Sequence, residues 1–123
     1  RHTRYISVTG VQTCALPISF YAAARAALTS PGVLVQNFMA DDPLREDRIA
    51  AMEGAFGSRA LRLRAADRVN VIAMVFRDGP ARISWTELRK RADALAADHD
   101  LPGDHYLATL TKLNEGTERF LLI

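Results

Sequence analysis

The 123-residue sequence predicts an α/β fold. Three observations carry that expectation. An alanine-rich helical run leads into an almost unbroken apolar strand, a helix with one apolar face follows that strand, and two further strand-like runs sit either side of a short loop. The length holds one domain. With 49% hydrophobic and 24% charged residues, the composition is that of a globular protein.

Each element has a local reason. "FYAAARAAL" (20–28) is built from strong helix formers, and "TSPG" (29–32) ends it with proline and glycine. "VLVQNFM" (33–39) has the continuous apolar character of a strand buried on both faces of a parallel sheet. In "ADDP" (40–43), Asp42 is expected to be an N-cap, with Pro43 at the first helical position. The helix 44–56 then places Leu44, Ile49, Met52 and Phe56 on one face, and "GS" (57–58) stops it.

"ALRLRA" (60–65) alternates apolar and basic residues, as a half-exposed strand does, whereas "NVIAMVFR" (70–77) is apolar enough for the interior. The short connection through "ADR" (66–68) predicts an antiparallel hairpin. After "DGPAR" (78–82), Ser84 is the expected cap of a helix over 85–100, with Glu87 completing a capping box. Pro102–Gly103 break that helix. "DHYLATLTKLN" (104–114) predicts a last short helix, and "RFLLI" reads as an apolar tail.

Helix, buried strand, helix and antiparallel hairpin together make the second half of a Rossmann-like α/β domain. A buried parallel strand needs a neighbour on each side. The hairpin supplies one for 33–39. The other is expected from chain outside this sequence, which leaves 33–39 with a bare apolar edge.

The first nineteen residues have no helical period, sustained alternation or capping signal. "VTGVQTCALPI" (8–18) resembles the in-frame translation of a short-read sequencing adapter. "RHTR" fits the primer before it, "YIS" a barcode, and Ser19 the junction. Residues 1–19 are therefore expected to be non-native, and 20–123 a truncated domain. Cys14, the single cysteine, excludes an internal disulfide, and an adapter origin leaves it without a role.

Charge argues against nucleic acid. Sixteen basic residues face fourteen acidic ones, and Arg1 and Arg4 supply the excess. Phosphate binding needs a clustered basic face, and Arg59, Arg62 and Arg64 read instead as a solvated strand face. No apolar run approaches the roughly 20 residues that cross a bilayer, nor does a signal-peptide core follow the N-terminal arginines. A cytoplasmic protein is the expectation.

"FYAAARAALTSPGVLVQNFMADDP", with "LRLRAADRVNVIAMVFRD" and "SWTELRKRADALA", resembles the C-terminal half of the bacterial spermidine synthase-like proteins, the polyamine aminopropyltransferases. The resemblance covers about 20–100. It implies a class I methyltransferase-type sheet in which 33–39 is the fifth strand and 60–65 with 70–77 the terminal antiparallel pair. It also implies transfer of an aminopropyl group from decarboxylated S-adenosylmethionine to a polyamine acceptor by the parent enzyme, which could be a homodimer. The family's glycine-rich turn, ribose-binding acid and catalytic aspartate all precede residue 20, so no catalytic or cofactor-binding residue carries over and the chain alone is expected to be inactive. The alternatives are a class I S-adenosylmethionine-dependent methyltransferase and a non-catalytic scaffold of the same fold.

Asn37 and Asp41 are the candidate substrate-binding residues, because open α/β sheets bind ligands at the carboxyl ends of their strands. Asn37 either lends its amide to a substrate amine or bonds a neighbouring loop. Asp41 and Asp42 can attract a polyamine, although capping explains Asp42. His99 and His105 flank the Pro-Gly break without a fixed acidic partner, so no metal site is expected. Trp85 and Tyr106 are expected to pack, and Met39, Met52 and Met74 to fill the core.

Overall fold

A computed structural model of the chain describes residues 5–8, 19–66 and 69–123. Ten elements lie among them: β1 (Tyr5–Val8), α1 (Ser19–Ala27), β2 (Gly32–Met39), α2 (Arg45–Phe56), β3 (Leu61–Arg64), β4 (Asn70–Arg77), β5 (Arg82–Ser84), α3 (Trp85–His99), α4 (Gly103–Leu113) and β6 (Phe120–Leu122). The adapter-like stretch lies outside the described residues except for Tyr5–Val8 and Ser19. Cys14 and residues 67–68 of the hairpin loop also fall outside them.

The main sheet runs β1-β2-β4-β3. β4 pairs antiparallel with both β2 and β3, from Gly32↔Arg77 to Met39↔Asn70 on one side and from Leu61↔Met74 to Arg64↔Val71 on the other. The expected hairpin and the interior position of 70–77 are both present. The expected bare edge of 33–39 is covered over its first half and holds only for residues 37–39 among the described residues. Tyr5–Val8 pairs parallel with Val33–Gln36, so half of β2 is flanked on both sides. Pairing in a ladder uses backbone donors and acceptors, which any extended tetrapeptide offers; side-chain patterning over nineteen residues carries no sign of it.

β2 is not uniformly buried. Gly32, Leu34, Gln36 and Phe38 are buried, Val33, Val35 and Asn37 half-buried, and Met39 exposed. Helices α1 and α2 cover the first face. Tyr21 and Ala24 of α1, Leu28 just after it, and Ile49, Met52 and Phe56 of α2 close over Leu34, Phe38, Ala73 and Val75 in one core. The other face is only partly covered, which lets an asparagine occupy it. Met39 (48% exposed) is thus no core filler, whereas Met52 is fully buried.

Several ends differ from expectation. Asp42 does not cap α2. Its carboxylate accepts from the Leu44 amide at 2.9 Å, closing a turn before the helix, and the cap position is Leu44, with no side-chain bond. Leu44 is accordingly exposed rather than packed with Ile49 and Met52. Gly57 ends α2 in the left-handed region (φ 65°), where glycine carries no Cβ penalty. Ser84 caps α3 as expected, accepting from the Glu87 amide at 3.1 Å. The Glu87 carboxylate pairs with Arg91 at 3.2 Å instead of closing the box. At the end of α1, the Arg77 guanidinium donates to the carbonyls of Leu28 (2.6 Å) and Arg25 (3.1 Å), tying the helix to β4.

The C-terminal half makes a second layer. The expected apolar tail is strand β6, which pairs antiparallel with β5 through Arg82↔Leu122, Ile83↔Leu121 and Ser84↔Phe120. Gly103 does more than break a helix. A Cβ there would meet the Ala92 carbonyl oxygen at 2.2 Å, so glycine is what lets the start of α4 touch the middle of α3. No described helix is long and apolar enough to cross a membrane.

Candidate functional site

The carboxyl end of β2 is held by backbone and side-chain bonds. The Ala40 amide donates to the Val69 carbonyl at 2.9 Å, which extends the β2–β4 pairing one step beyond the strand. The Asp42 amide donates to the Met39 carbonyl at 3.1 Å, and the Arg45 guanidinium donates to the Ala40 carbonyl. These bonds fix the turn 40–44 as a rim over the sheet. Asp41 sits in that rim, exposed.

Asn37 lies on the half-covered face, opposite Ile72 of β4 and Leu63 of β3 in the register. Its side-chain oxygen is buried and accepts no hydrogen bond among the described residues. The expectation of a bond to a neighbouring loop is therefore not met. A buried carbonyl oxygen without a donor costs free energy, and a group bearing N–H bonds would relieve it. Asn37 and Asp41 share one strand end, and about 7 Å of strand separates Asn37 from the end of β2 at the usual rise per residue.

The neighbouring Gln36 takes the opposite face and is completely buried among apolar groups. Its side-chain oxygen accepts from the Tyr21 hydroxyl at 2.9 Å, while its amide nitrogen has no partner among the described residues. Burial raises the Tyr21 pKa above the ordinary phenol value, against the opposing effects of the Gln36 bond and the Arg48 guanidinium. On the rim of α2, the Arg62 guanidinium donates to the Glu46 carboxylate at 2.7 Å. That bond, followed by one from Arg45, holds Glu46 below the usual carboxylate range despite the opposing desolvation. Arg59 pairs with Glu115.

A set of residues at the sheet edge was not foreseen as functional. β3 is the edge strand, and α4 lies along it. Asn114 accepts from the Arg62 amide at 2.7 Å and donates to the Arg62 carbonyl at 2.8 Å, as a neighbouring strand would. His105 contacts the Arg64 carbonyl at 3.1 Å, and the Thr109 hydroxyl the Arg64 amide at 3.5 Å. His105 is thus a structural clamp, and His99 is exposed on α3. Among the described residues, no group of three or more His, Cys, Asp or Glu side chains could hold a metal ion. Tyr106 is half-buried beside Leu63, Leu88 and Leu110 around an apolar cavity of about 240 Å³. Trp85 is half-buried, its indole N–H donating to the Thr117 carbonyl at 2.9 Å.

The turn after β2 reads Ala40–Asp41–Asp42–Pro43.

The chain is α/β, with a polar strand end and one sheet face only partly buried. Its curated homologues carry a more particular name. The chain is 34% identical over 104 residues to a polyamine aminopropyltransferase of Chromobacterium violaceum, a match covering 85% of this chain and 40% of that protein. It is 33% identical over 95 residues to the polyamine aminopropyltransferases of Neisseria meningitidis serogroups A and B, covering 77% of this chain and 36% of each. The chain thus spans well under half the length of these relatives. No protein-family model matches it, and no solved structure matches it significantly.

Proposed function

We propose that residues 20–123 are the carboxyl-terminal part of a polyamine aminopropyltransferase, and that the whole protein transfers an aminopropyl group from decarboxylated S-adenosylmethionine to a polyamine in the cytoplasm. The similarity to aminopropyltransferases over 85% of the chain carries this reading. The sheet order supports it: β2 as an inner parallel strand, then β4 and β3 as the terminal antiparallel pair of a Rossmann-like, methyltransferase-type sheet. Residues 1–19 are an adapter translation on this reading, and β1 occupies a place that a strand of the parent fills.

Within this portion the acceptor amine is held at the end of β2. The side-chain oxygen of Asn37 accepts an N–H of the attacking amine, satisfying the one polar atom that the fold leaves buried without a donor there. Asp41, exposed on the rim, attracts a second ammonium of the same polyamine by charge. Both residues bind and orient. Neither removes the proton, which falls to an acid outside this chain.

The test is a clean resequencing of the locus followed by assay of its full reading frame. Aminopropyl transfer is expected, with Asn37→Ala raising KM for the amine about tenfold, as loss of a hydrogen bond to a charged group predicts. Asp41→Asn is expected to raise it only a few-fold and to lose most of that effect in salt. Methyl transfer from S-adenosylmethionine, no transfer at all, or adapter codons contiguous in genomic DNA would each refute the proposal. The 123-residue chain by itself is expected to bind no decarboxylated S-adenosylmethionine in calorimetry.

A further inference from the structure

One hollow lies away from the β2 edge. It is a cavity of about 440 Å³ between the start of α3, the middle of α4 and the loop before β6, lined by Trp85, Arg89, Asp104, Leu107, Ala108, Thr111, Thr117 and Glu118. Trp85 was expected to be core. It is only half-buried, and it forms one wall.

The indole is held in place from two directions. Its N–H is committed to the Thr117 carbonyl at 2.9 Å. Gly116 packs so closely that an added Cβ would lie 3.1 Å from the Cζ2 edge of the ring. The ring is therefore a fixed apolar surface, with Leu107 and Ala108 beside it. The Arg89 guanidinium is shared between Asp104 at 2.6 Å and Asp93 at 3.9 Å, so one cation faces two carboxylates. The Glu118 carboxylate, exposed and without an ion pair among the described residues, adds a further negative charge on the cavity. A fixed indole and an unpaired carboxylate around one cavity match a single kind of guest: a cation with an apolar body, drawn to the ring quadrupole and to the charge together.

We propose that the Trp85–Glu118 cavity binds an organic ammonium ion. It is separate from the β2 edge and does not depend on the proposed transfer activity. Trp85 is the only tryptophan in the chain, so its fluorescence reports on this cavity alone. Titration of the full chain with n-butylammonium chloride is expected to give a saturable change that sodium chloride at equal ionic strength does not reproduce. Glu118→Gln is expected to weaken the affinity at least fivefold while leaving the unfolding midpoint unchanged, since the side chain is exposed. Addition of butyrate in place of butylammonium is expected to give no saturable change. A butylammonium response no different from that of sodium chloride, an unaltered affinity in Glu118→Gln, or tighter binding of butyrate than of butylammonium would each overturn the proposal.

Discussion

Replacing Asn114 by alanine strips the clamp from the edge of β3. Three bonds are lost: from the Arg62 amide (2.7 Å), to the Arg62 carbonyl (2.8 Å) and to the Leu110 carbonyl (3.0 Å). A typical protein hydrogen bond contributes about 1 kcal/mol net. All three are only partly buried, and water recovers some of that, so about 2 kcal/mol of stability is expected to go. With a urea m-value near 2 kcal/mol/M for a chain of this size, the midpoint falls by about 1 M with m unchanged. Asn114→Asp is a sharper control. It keeps the acceptor for the Arg62 amide, loses both donors, and sets a carboxylate against the Arg62 carbonyl, so it is expected to cost at least as much. Hydrogen exchange localises the effect: the Arg62 amide is expected to exchange faster in Asn114→Ala, and the freed edge to promote self-association. A midpoint shift below about 0.25 M, corresponding to about 0.5 kcal/mol at that m-value, with Arg62 exchange unaltered, refutes the idea that Asn114 closes the edge of β3 as a neighbouring strand would.

Three further outcomes follow from the same packing. Gly103→Ala drives a methyl group into the Ala92 carbonyl 2.2 Å away, so α3 and α4 must separate, at a cost of about 2 kcal/mol in chemical denaturation. Tyr21→Phe leaves the buried Gln36 oxygen without its donor and is expected to cost about 1–3 kcal/mol. Because the folded-state pKa of Tyr21 is raised, its contribution is complete below the ordinary phenol pKa and lost as pH climbs through the higher folded value. Stability measured against pH is therefore expected to fall less steeply above about pH 10 in Tyr21→Phe than in the parent chain. Glu46 has the opposite sign. Its folded pKa is depressed, so the stability it gives is present above the ordinary glutamate pKa and lost as pH falls through the lower folded value, and Glu46→Gln is expected to flatten the acid limb of the same curve.

Local pattern was enough for most elements. The run 70–77 is the strand Asn70–Arg77 because its nearly continuous apolar residues suit an interior position, and Ser84 caps α3 because a hydroxyl at that place meets the Glu87 amide. Asn37 was legible as a candidate from its place near a strand end, but its unpartnered oxygen was not. That depends on what Ile72 and Leu63 bring beside it. Asp42 misled because a carboxylate before a proline serves a turn as well as a helix cap, and sequence does not rank the two. Trp85 misled because an indole at a helix start packs or stays half open according to what the loop 114–119 does.

The sequence by itself determined the four helices, the strands β2, β3 and β4, the antiparallel hairpin, and the apolar face of α2, since each rests on residues close together along the chain. Only the tertiary structure decided that Tyr5–Val8 joins β2, that Phe120–Leu122 joins β5, that Asn114 closes the edge of β3, and that Gln36 rather than a hydrocarbon fills the centre of the core. The physical reason is one of range. Backbone pairing and a single buried hydrogen bond need one donor and one acceptor brought together across dozens of residues, and such a pair leaves no periodic trace in the order of the amino acids.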